Sequence, residues 1–370
     1  MSNLPSRFLR LTAKNKLVRQ LETLRTDRRE RQSQGYVLVQ GLKTIQELAA
    51  KGHRIRTVGI TFDDGLPVGQ PALSIVKHWA KHEEKGQKDT GEEKEIFRAG
   101  QFVAVSRAVT TRILGTDSKT SEHEVWAEVQ IPDHQALFSH SHTQGKDIRR
   151  LLILDQIMDP GNMGLMVRAG MAMGWDGVWS TPGTVDLYND KVVRASRAHC
   201  LEWPNHPGRW VELASFLEQR RMTLVVADML PSITPASSSG GSDSIVQEKS
   251  RIGSGLDCRQ LVWWNWPASL PRALPERLAL VMSSEHHGVK GPSYPNQEES
   301  AIEDHKQGQS RMRQTWDQEQ KAKAYLLKSA IRVSIPMHPA VESMNVATAA
   351  TIMMWELNSE KSSKLQVLDF

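Results

Sequence analysis

The chain has 370 residues, of which 39% are hydrophobic and 24% charged; this suits about two domains with real cores, and with no apolar run near the ~20 residues of a membrane helix the chain is not expected to span a membrane. Its two cysteines, Cys200 and Cys258, cannot build a disulfide framework and have no zinc spacing, so a reducing compartment is the default and no metal is expected. The net charge of +5 is unevenly spread: residues 1–58 hold 13 Lys/Arg against 4 Asp/Glu, a net of +9, which leaves −4 for the rest; a basic segment on a near-neutral body suits docking to RNA, although a solvated helix face accounts for the same charges.

Leu17, Leu21 and Leu24 recur at helical spacing among Arg25, Arg28 and Arg29, which predicts one amphipathic helix over about 14–32, ended by Gly35. The N-terminus has no acid before Glu22. Organellar transit peptides and RNA-binding helices share that pattern, so both readings stay open, and with them a cytoplasmic or an organellar (mitochondrial or plastid) location. YVLVQG (36–41) reads as a strand, LKTIQELAA (42–50) as a helix with Ile45 and Leu48 inward, and RTVGITF (56–62) as a second strand. QFVAVS and EVWAEVQI follow as strands, with a short helix near 109–114 between them, so a small α/β domain is expected over 1–132. The stretch 81–95 is nearly all charged or polar and reads as an exposed insertion. Residues 133–149 are polar, hold His134, His140 and His142 without a thiol or carboxylate cage, and read as a linker.

From residue 150 the pattern changes. LLILDQ (151–156), DGVWST, TLVVAD (223–228), LALVMSS (278–284) and IRVSIPM (331–337) read as strands. GLMVRAGMAMG (164–174), DKVVRASRA, RWVELASFLEQRR and SMNVATAATIMMWEL (343–357) read as helices. Alternation of this kind implies a mostly parallel sheet covered on both faces, filling 150–370. Two stretches interrupt it: 232–254 is rich in Ser and Gly and reads as a flexible loop, and 291–320 is rich in Gln, Glu and Arg and reads as a second polar insertion without a core face.

The residues suited to chemistry sit where strands end. LDQIMDPGNMGLMVRAG places a tight turn, Asp159-Pro160-Gly161-Asn162, after the strand at 151–156 and opens a helix from it; in open α/β sheets functional groups gather at the carboxyl ends of strands. Asn162 sits where a helix cap would sit. Arg168 lies six residues on, in a helix otherwise made of Leu165, Met166, Val167, Ala169 and Met171, and a structural salt bridge is the plain account of it. VMSSEHHG ends another strand with Glu285 in a glycine-bearing loop. IPMHPAVESMNVATAA ends the last strand with a proline-containing loop and opens a helix near Ser343 and Asn345, which are caps by the bland reading. No GxGxxG precedes a helix, so a conventional dinucleotide site is not supported.

In order and wording these three motifs resemble the SpoU (TrmH-like) family of RNA ribose methyltransferases. Asp159, Pro160, Asn162, Gly164 and Arg168 fit the family's first motif; Glu285 and Gly288 fit the second; Ile335, Pro336, Met337, Ser343, Asn345, Val346 and Ala349 fit the third, with Met344 in place of leucine. KVVRAS (191–196) matches a further family segment, and the basic helix followed by GYVLVQG is similar to the L30e-like RNA-binding domain that many members carry.

The resemblance implies an α/β chain whose C-terminal SPOUT domain is tied in a trefoil knot, preceded by a smaller L30e-like domain, acting as a homodimer. It implies an S-adenosyl-L-methionine-dependent enzyme that methylates the ribose 2′-hydroxyl of structured RNA, ribosomal RNA ahead of transfer RNA. Arg168 would lie beside the target ribose as base or orienting group, with Asn162, Glu285, Ser343 and Asn345 holding ribose, phosphate and Arg168. Cofactor contacts would come from Ala227, Asp228 and Met229, from Met282, Ser283 and Gly288, and from Ile335, Pro336, Met337 and Met344. Ser283 and His286 stand where members usually have glycine, and Arg197 and His199 where they have small residues. The alternatives are a transfer RNA ribose methyltransferase and a catalytically weak RNA-binding or ribosome-assembly factor. A degenerate factor is expected to lose Asn162, Arg168, Ser343 or Asn345, and all four are present.

Overall fold

The computed structural model describes residues 4–85, 99–115, 125–138, 147–229, 261–270, 273–283, 306–338, 340–341, 343–358 and 366–367. The chain divides into two compact units, one made of Met1–Asp133 with Asp186–Glu202, the other of His134–Val185 with Trp203–Phe370. The insertions expected at 81–95 and 232–254 lie wholly or largely outside the described residues, although 70–85 is helical.

In the first unit β1 (Phe8–Leu11) is followed by α1 (Lys16–Thr26), α2 (Arg28–Gln34), β2 (Tyr36–Gln40), α3 (Leu42–Ala50), β3 (Ile55–Asp63), β4 (Leu66–Pro67), α4 (Gln70–Lys85), β5 (Gln101–Val105), α5 (Arg107–Leu114) and β6 (Trp126–Gln130). The sheet order is β1-β5-β3-β6-β2, parallel from β1 to β3 and antiparallel beyond, with β4 paired to β3. The single helix expected over 14–32 is two. Asp27 ends α1 in extended backbone and its carboxylate accepts the Arg29 amide at 2.7 Å, capping α2; a local Asx bond outcompetes helix continuation. Gly35, left-handed with φ 69°, closes α2. Val18, Leu21 and Leu24 of α1 pack with Val109, Ile113 and Leu114 of α5 over Val103, Val105 and Trp126 of the sheet. The segment 186–202, with a helix at Asp190–Ala195 (α8 in chain order), belongs to this unit: buried Arg31 donates to Asp186, and Lys51 pairs with Glu202. Burial pushes the Cys200 thiol up to about 12, so it packs as an apolar group.

The second unit runs α6 (Gln135–Phe138), β7 (Arg150–Asp155), α7 (Pro160–Ala172), β8 (Gly177–Ser180), β9 (Asn205–Pro207), α9 (Trp210–Gln219), β10 (Thr223–Ala227), β11 (Val262–Trp264), β12 (Leu278–Ser283), α10 (Lys306–Ser329), β13 (Ile331–Ser334), α11 (Val346–Glu356) and β14 (Gln366–Val367). Its sheet has the order β14-β11-β13-β10-β12-β7-β8-β9, and every neighbouring pair is parallel except β11–β13. Leu151, Leu152, Ile153 and Leu154 are all fully buried, as a strand covered on both faces must be. On one face Ile153 and Val281 meet Trp210, Leu213, Phe216 and Leu217 of α9, with Ala322, Leu326 and Leu327 of α10 packed against them. On the other, α7 and α11 lie together, α11 against β12.

Two further expectations change. The linker at 133–149 contributes Phe138 and Ile148 to the core of the second unit. The polar insertion at 291–320 ends in a helix, because residues from 306 onward form α10, in which Glu319, and Lys323 just beyond the insertion, are buried. The apolar pattern was hidden by two inward charges.

Candidate active site

The site is built from strand ends. β7 stops at Asp155, and Gln156 takes a left-handed φ of 56°. Three residues later the Asp159 carboxylate caps α7 by accepting the Asn162 amide at 2.7 Å, with Pro160 in the first turn. The N-cap is therefore Asp159, not Asn162, and the Asn162 side chain is left for another partner. That partner is Asn345, which caps α11 by accepting from Ala347 and Thr348 amides at 3.0 and 3.2 Å, and whose Nδ2 donates to Asn162 Oδ1 at 3.0 Å. At the far ends of the same two helices Asn358 Nδ2 donates to the Met173 carbonyl. The helices thus run side by side in one direction, and the bond between their N-termini joins the first and third motifs.

Met163, Met166, Val167 and Gly170 form the buried side of α7. A Cβ at Gly170 would stand 2.4 Å from the Trp203 ring, so only glycine permits that approach. The opposite side exposes Leu165, Arg168 and Ala172. Arg168 is therefore no buried ion-pair partner; among the described residues its guanidinium forms neither an ion pair nor a hydrogen bond. A free planar donor fork on the helix that Asn162 opens is equipped to orient a polar, anionic ligand.

The carboxyl ends of β10, β12 and β13 lie next to one another. Ala227 pairs with Val333, Ser283 pairs with Asp155, and the Asp228 amide donates to the Val333 carbonyl at 3.0 Å. Ala227, Met282, Ser283 and Ile335 so converge on one edge, and Ile335, Pro336, Met337 and Met344 are each half-buried. Ser283 Oγ is buried without a hydrogen-bond partner among the described residues. A half-buried apolar rim with an orphan hydroxyl fits a ligand that combines apolar and polar parts, such as a nucleoside sulfonium. Asp228 differs: its carboxylate is engaged by Arg332, leaving only its backbone for a ligand, while Met229 is exposed. Ser343 is exposed and caps nothing, since α11 begins after Asn345. Glu285 and Gly288 lie outside the described residues. Among the described residues no group of three or more His, Cys, Asp or Glu is gathered as a metal needs, and no helix is long and apolar enough to cross a membrane.

Sequence reasoning missed the polar layer behind this edge. Lys323 of α10 donates to Asp155 Oδ2 at 2.8 Å, and Thr181 Oγ1 donates to Oδ1 at 2.8 Å. Helical spacing of Glu319, Ala322, Lys323, Leu326 and Leu327 was the available signal.

Residues 149–293, which run from the threshold of β7 past β12, match the model of the SpoU rRNA Methylase family. The chain carries a SpoU-family methylase domain. It is 26% identical over 235 residues to a protein of Danio rerio named rRNA methyltransferase 3A, mitochondrial, covering 61% of this chain and 47% of that one. It is 23% identical over 231 residues to the 23S rRNA (guanosine(2553)-2′-O)-methyltransferase of Bacillus subtilis, covering 62% and 66%. The chain thus spans between about half and two thirds of these relatives' lengths. Among solved structures it is similar to the SpoU methyltransferase AviRb from Streptomyces viridochromogenes in complex with AdoMet, at TM-score 0.56 and 19% identity over 95% of this chain and 99% of that one. An AdoMet-bound rRNA methyltransferase from Sinorhizobium meliloti gives TM-score 0.57 at 18% identity, over 95% and 98%. The fold is accordingly that of the SPOUT methyltransferases, and the site described above lies at the carboxyl edge of the SpoU domain's sheet.

Proposed function

We propose that this protein transfers a methyl group from S-adenosyl-L-methionine to a ribose 2′-hydroxyl of structured RNA, ribosomal RNA in particular. The observation that carries the reading is the Asn345–Asn162 bond, which joins two motifs distant in sequence at the N-termini of α7 and α11, α7 being the helix that exposes Arg168. The names of the relatives, which act on ribosomal RNA, support the substrate class.

The backbone at 227–229, 282–283 and 335–337, with Met344, would hold the cofactor, and Ser283 Oγ supplies an unused hydrogen-bonding group among them. When bound, S-adenosyl-L-methionine supplies an electrophilic methyl group on a sulfonium. The remaining work falls to the chain. A ribose hydroxyl is a poor nucleophile and must be placed in line and relieved of its proton. Arginine is a poor base because it stays protonated. Arg168 therefore acts as a donor that fixes the hydroxyl and its neighbouring phosphate, while Asn162, Ser343 and Asn345 hold the ribose; the hydroxyl proton leaves to a phosphate oxygen or to water as the oxygen takes the methyl group and the sulfonium becomes a neutral thioether.

Three further features belong to the same reading. Residues 1–132 serve as an L30e-like RNA-docking domain, supported by exposed Arg7, Arg10, Lys14, Lys16, Arg19, Arg28 and Arg29. The methylase domain is knotted and works as a homodimer, for which exposed Leu165 and Trp355 offer apolar surface. An organellar location fits the relatives named mitochondrial.

Titration calorimetry with S-adenosyl-L-methionine, then methyl transfer to unmodified ribosomal RNA with 2′-O-methyl mapping, tests the proposal. Binding without added metal, and one or a few methylated riboses, is expected. Folded protein that shows no heat at millimolar cofactor overturns it.

A further inference from the structure

Helix α10 turns two charged residues inward, and both are engaged within the unit. Glu319 accepts the Trp210 amide at 2.7 Å and so caps α9. Lys323, 3% exposed, lies over the Trp210 ring and donates to Asp155, 1% exposed. Both oxygens of that carboxylate are taken, one by Lys323 from α10 and one by Thr181 beyond β8, so it cannot rotate without losing a donor.

Asp155 is the last residue of β7, and everything the proposed chemistry uses on this strand follows it. The Gln156 amide donates to Thr184 Oγ1 at 3.0 Å, the Ile157 carbonyl accepts the Val185 amide at 2.9 Å, Asp159 caps α7, and Asn162 meets Asn345. Left-handed backbone at Gln156 persists only where the surroundings over-determine it. A buried ion pair is seldom more stabilising than an apolar pair of the same volume. What it adds in this place is a fixed direction for the chain leaving the sheet.

We propose that Lys323 is a positioning residue: through Asp155 it sets the departure of the β7–α7 loop and hence the placement of Asn162 and Arg168. Its consequence for catalysis rests on the methyl transfer proposed above; its consequence for the loop does not.

The test pairs Lys323→Met with Asp155→Asn, which removes both charges together and avoids a stranded buried ion. The double variant is expected to melt close to the wild type and to bind S-adenosyl-L-methionine within about two-fold of it, while amides of 156–164 exchange about ten-fold faster. Single-turnover methyl transfer to an unmodified ribosomal RNA transcript is expected to slow by about ten-fold or more with the apparent KM for RNA unchanged. Wild-type exchange over 156–164 in the folded double variant overturns the proposal and leaves the pair as packing. Should the double variant melt early, exchange is compared at a temperature below its transition: amides of 156–164 that speed up more than those of β7 and β12 support the positioning role, and a uniform rise across the unit overturns it. If the wild type itself transfers no methyl group, the functional reading fails, and the exchange comparison still decides the role of Lys323.

Discussion

The two faces of the SpoU domain's sheet are packed by opposite means. Against one, α9 and α10 press Trp210, Phe216 and Leu217 together with a buried lysine–aspartate pair. Against the other, α7 and α11 are tied by asparagines at both ends and leave an arginine in solvent. α7 is apolar in sequence, yet its one cation points out; α10 is polar in sequence, yet its Lys323 points in. The average polarity of a helix does not decide where its charges go. The rotation of the helix about its axis does, and that is fixed by which stripe meets the sheet.

The largest effects should come from exchanging those two cations for neutral side chains. Arg168→Ala is expected to leave melting temperature and cofactor affinity near wild type while methyl transfer falls by about a thousand-fold, about 4 kcal/mol of barrier. Arg168→Lys should not rescue it, because an ammonium lacks the planar fork. Lys323→Met alone should do the reverse in stability, costing about 3–5 kcal/mol by stranding the buried Asp155 carboxylate. Thermal melts and single-turnover rates on the same preparations separate the two. An Arg168→Ala protein with wild-type turnover removes Arg168 from the chemistry and erases the contrast between the faces.

Asn345 sharpens the account of the α7–α11 face. Its oxygen caps α11 and its nitrogen reaches Asn162, so the two roles can be split. Asn345→Asp keeps a capping oxygen at a helix N-terminus, where negative charge is favoured, and loses the donor to Asn162. Stability is expected within a few tenths of a kcal/mol of wild type, with turnover down by about ten-fold. Asn345→Ala loses the cap as well and should cost about 1 kcal/mol. Equal turnover in the aspartate variant and the wild type would reduce the asparagine bond to a helix tie.

These contrasts also show what could be read without coordinates. The strands β7, β10 and β12 were legible because a strand buried on both faces is a continuous apolar run. The three motifs were legible because turn and cap residues sit at fixed offsets from such runs. Asn162 was read as a cap because capping chemistry is local and Asp159 competes for the same role; which of them caps α7 depends on the turn's geometry. For Arg168 the same kind of inference offered a structural salt bridge, beside the role at the ribose that the resemblance implies. β1 and β11 were missed because each is only three or four residues long, too short for periodicity. α10 was missed because its inward stripe carries Glu319 and Lys323, and their partners, Trp210 and Asp155, lie 109 and 168 residues away. The helical spacing of that stripe could be read locally; the distant partners that let two charges lie in it could not.

The first unit repeats the contrast between free and paired cations on a smaller scale. Of its N-terminal arginines, Arg31 is buried against Asp186 and Arg56 is held by Glu128, so neither adds to an outward field. Arg28 and Arg29 are exposed on α2. Reversing both, Arg28→Glu with Arg29→Glu, is expected to weaken binding to a ribosomal RNA fragment and to lower the salt slope by about 2, since each lost phosphate contact removes about one released counterion. Melting temperature should hold. An unchanged slope would place the docking surface elsewhere on the chain.

The smallest expected effect concerns pH and the α9–α10 face. His206 packs at a tilt against Trp179, with ring centroids 4.4 Å apart, and stacks on Phe138 at 5.3 Å. Burial holds its pKa below the ordinary imidazole value, partly opposed by the Glu212 carboxylate. A ring whose folded pKa is depressed binds fewer protons than its unfolded counterpart between the two values, so stability rises with pH across that interval. The neutral ring's contribution is complete above the unfolded value of about 6.5 and is lost as pH falls below it toward the folded one. The wild type is therefore expected to lose more melting temperature between pH 7.5 and 5.5 than a His206→Phe variant, by about 1–3 °C for a domain of this size. Carboxylates such as Glu212 titrate lower and should affect both proteins alike in that range. Identical losses would mean that the aromatic wall admits the charged ring, and that Asp155 and Lys323 sit on a wetter face than their burial implies.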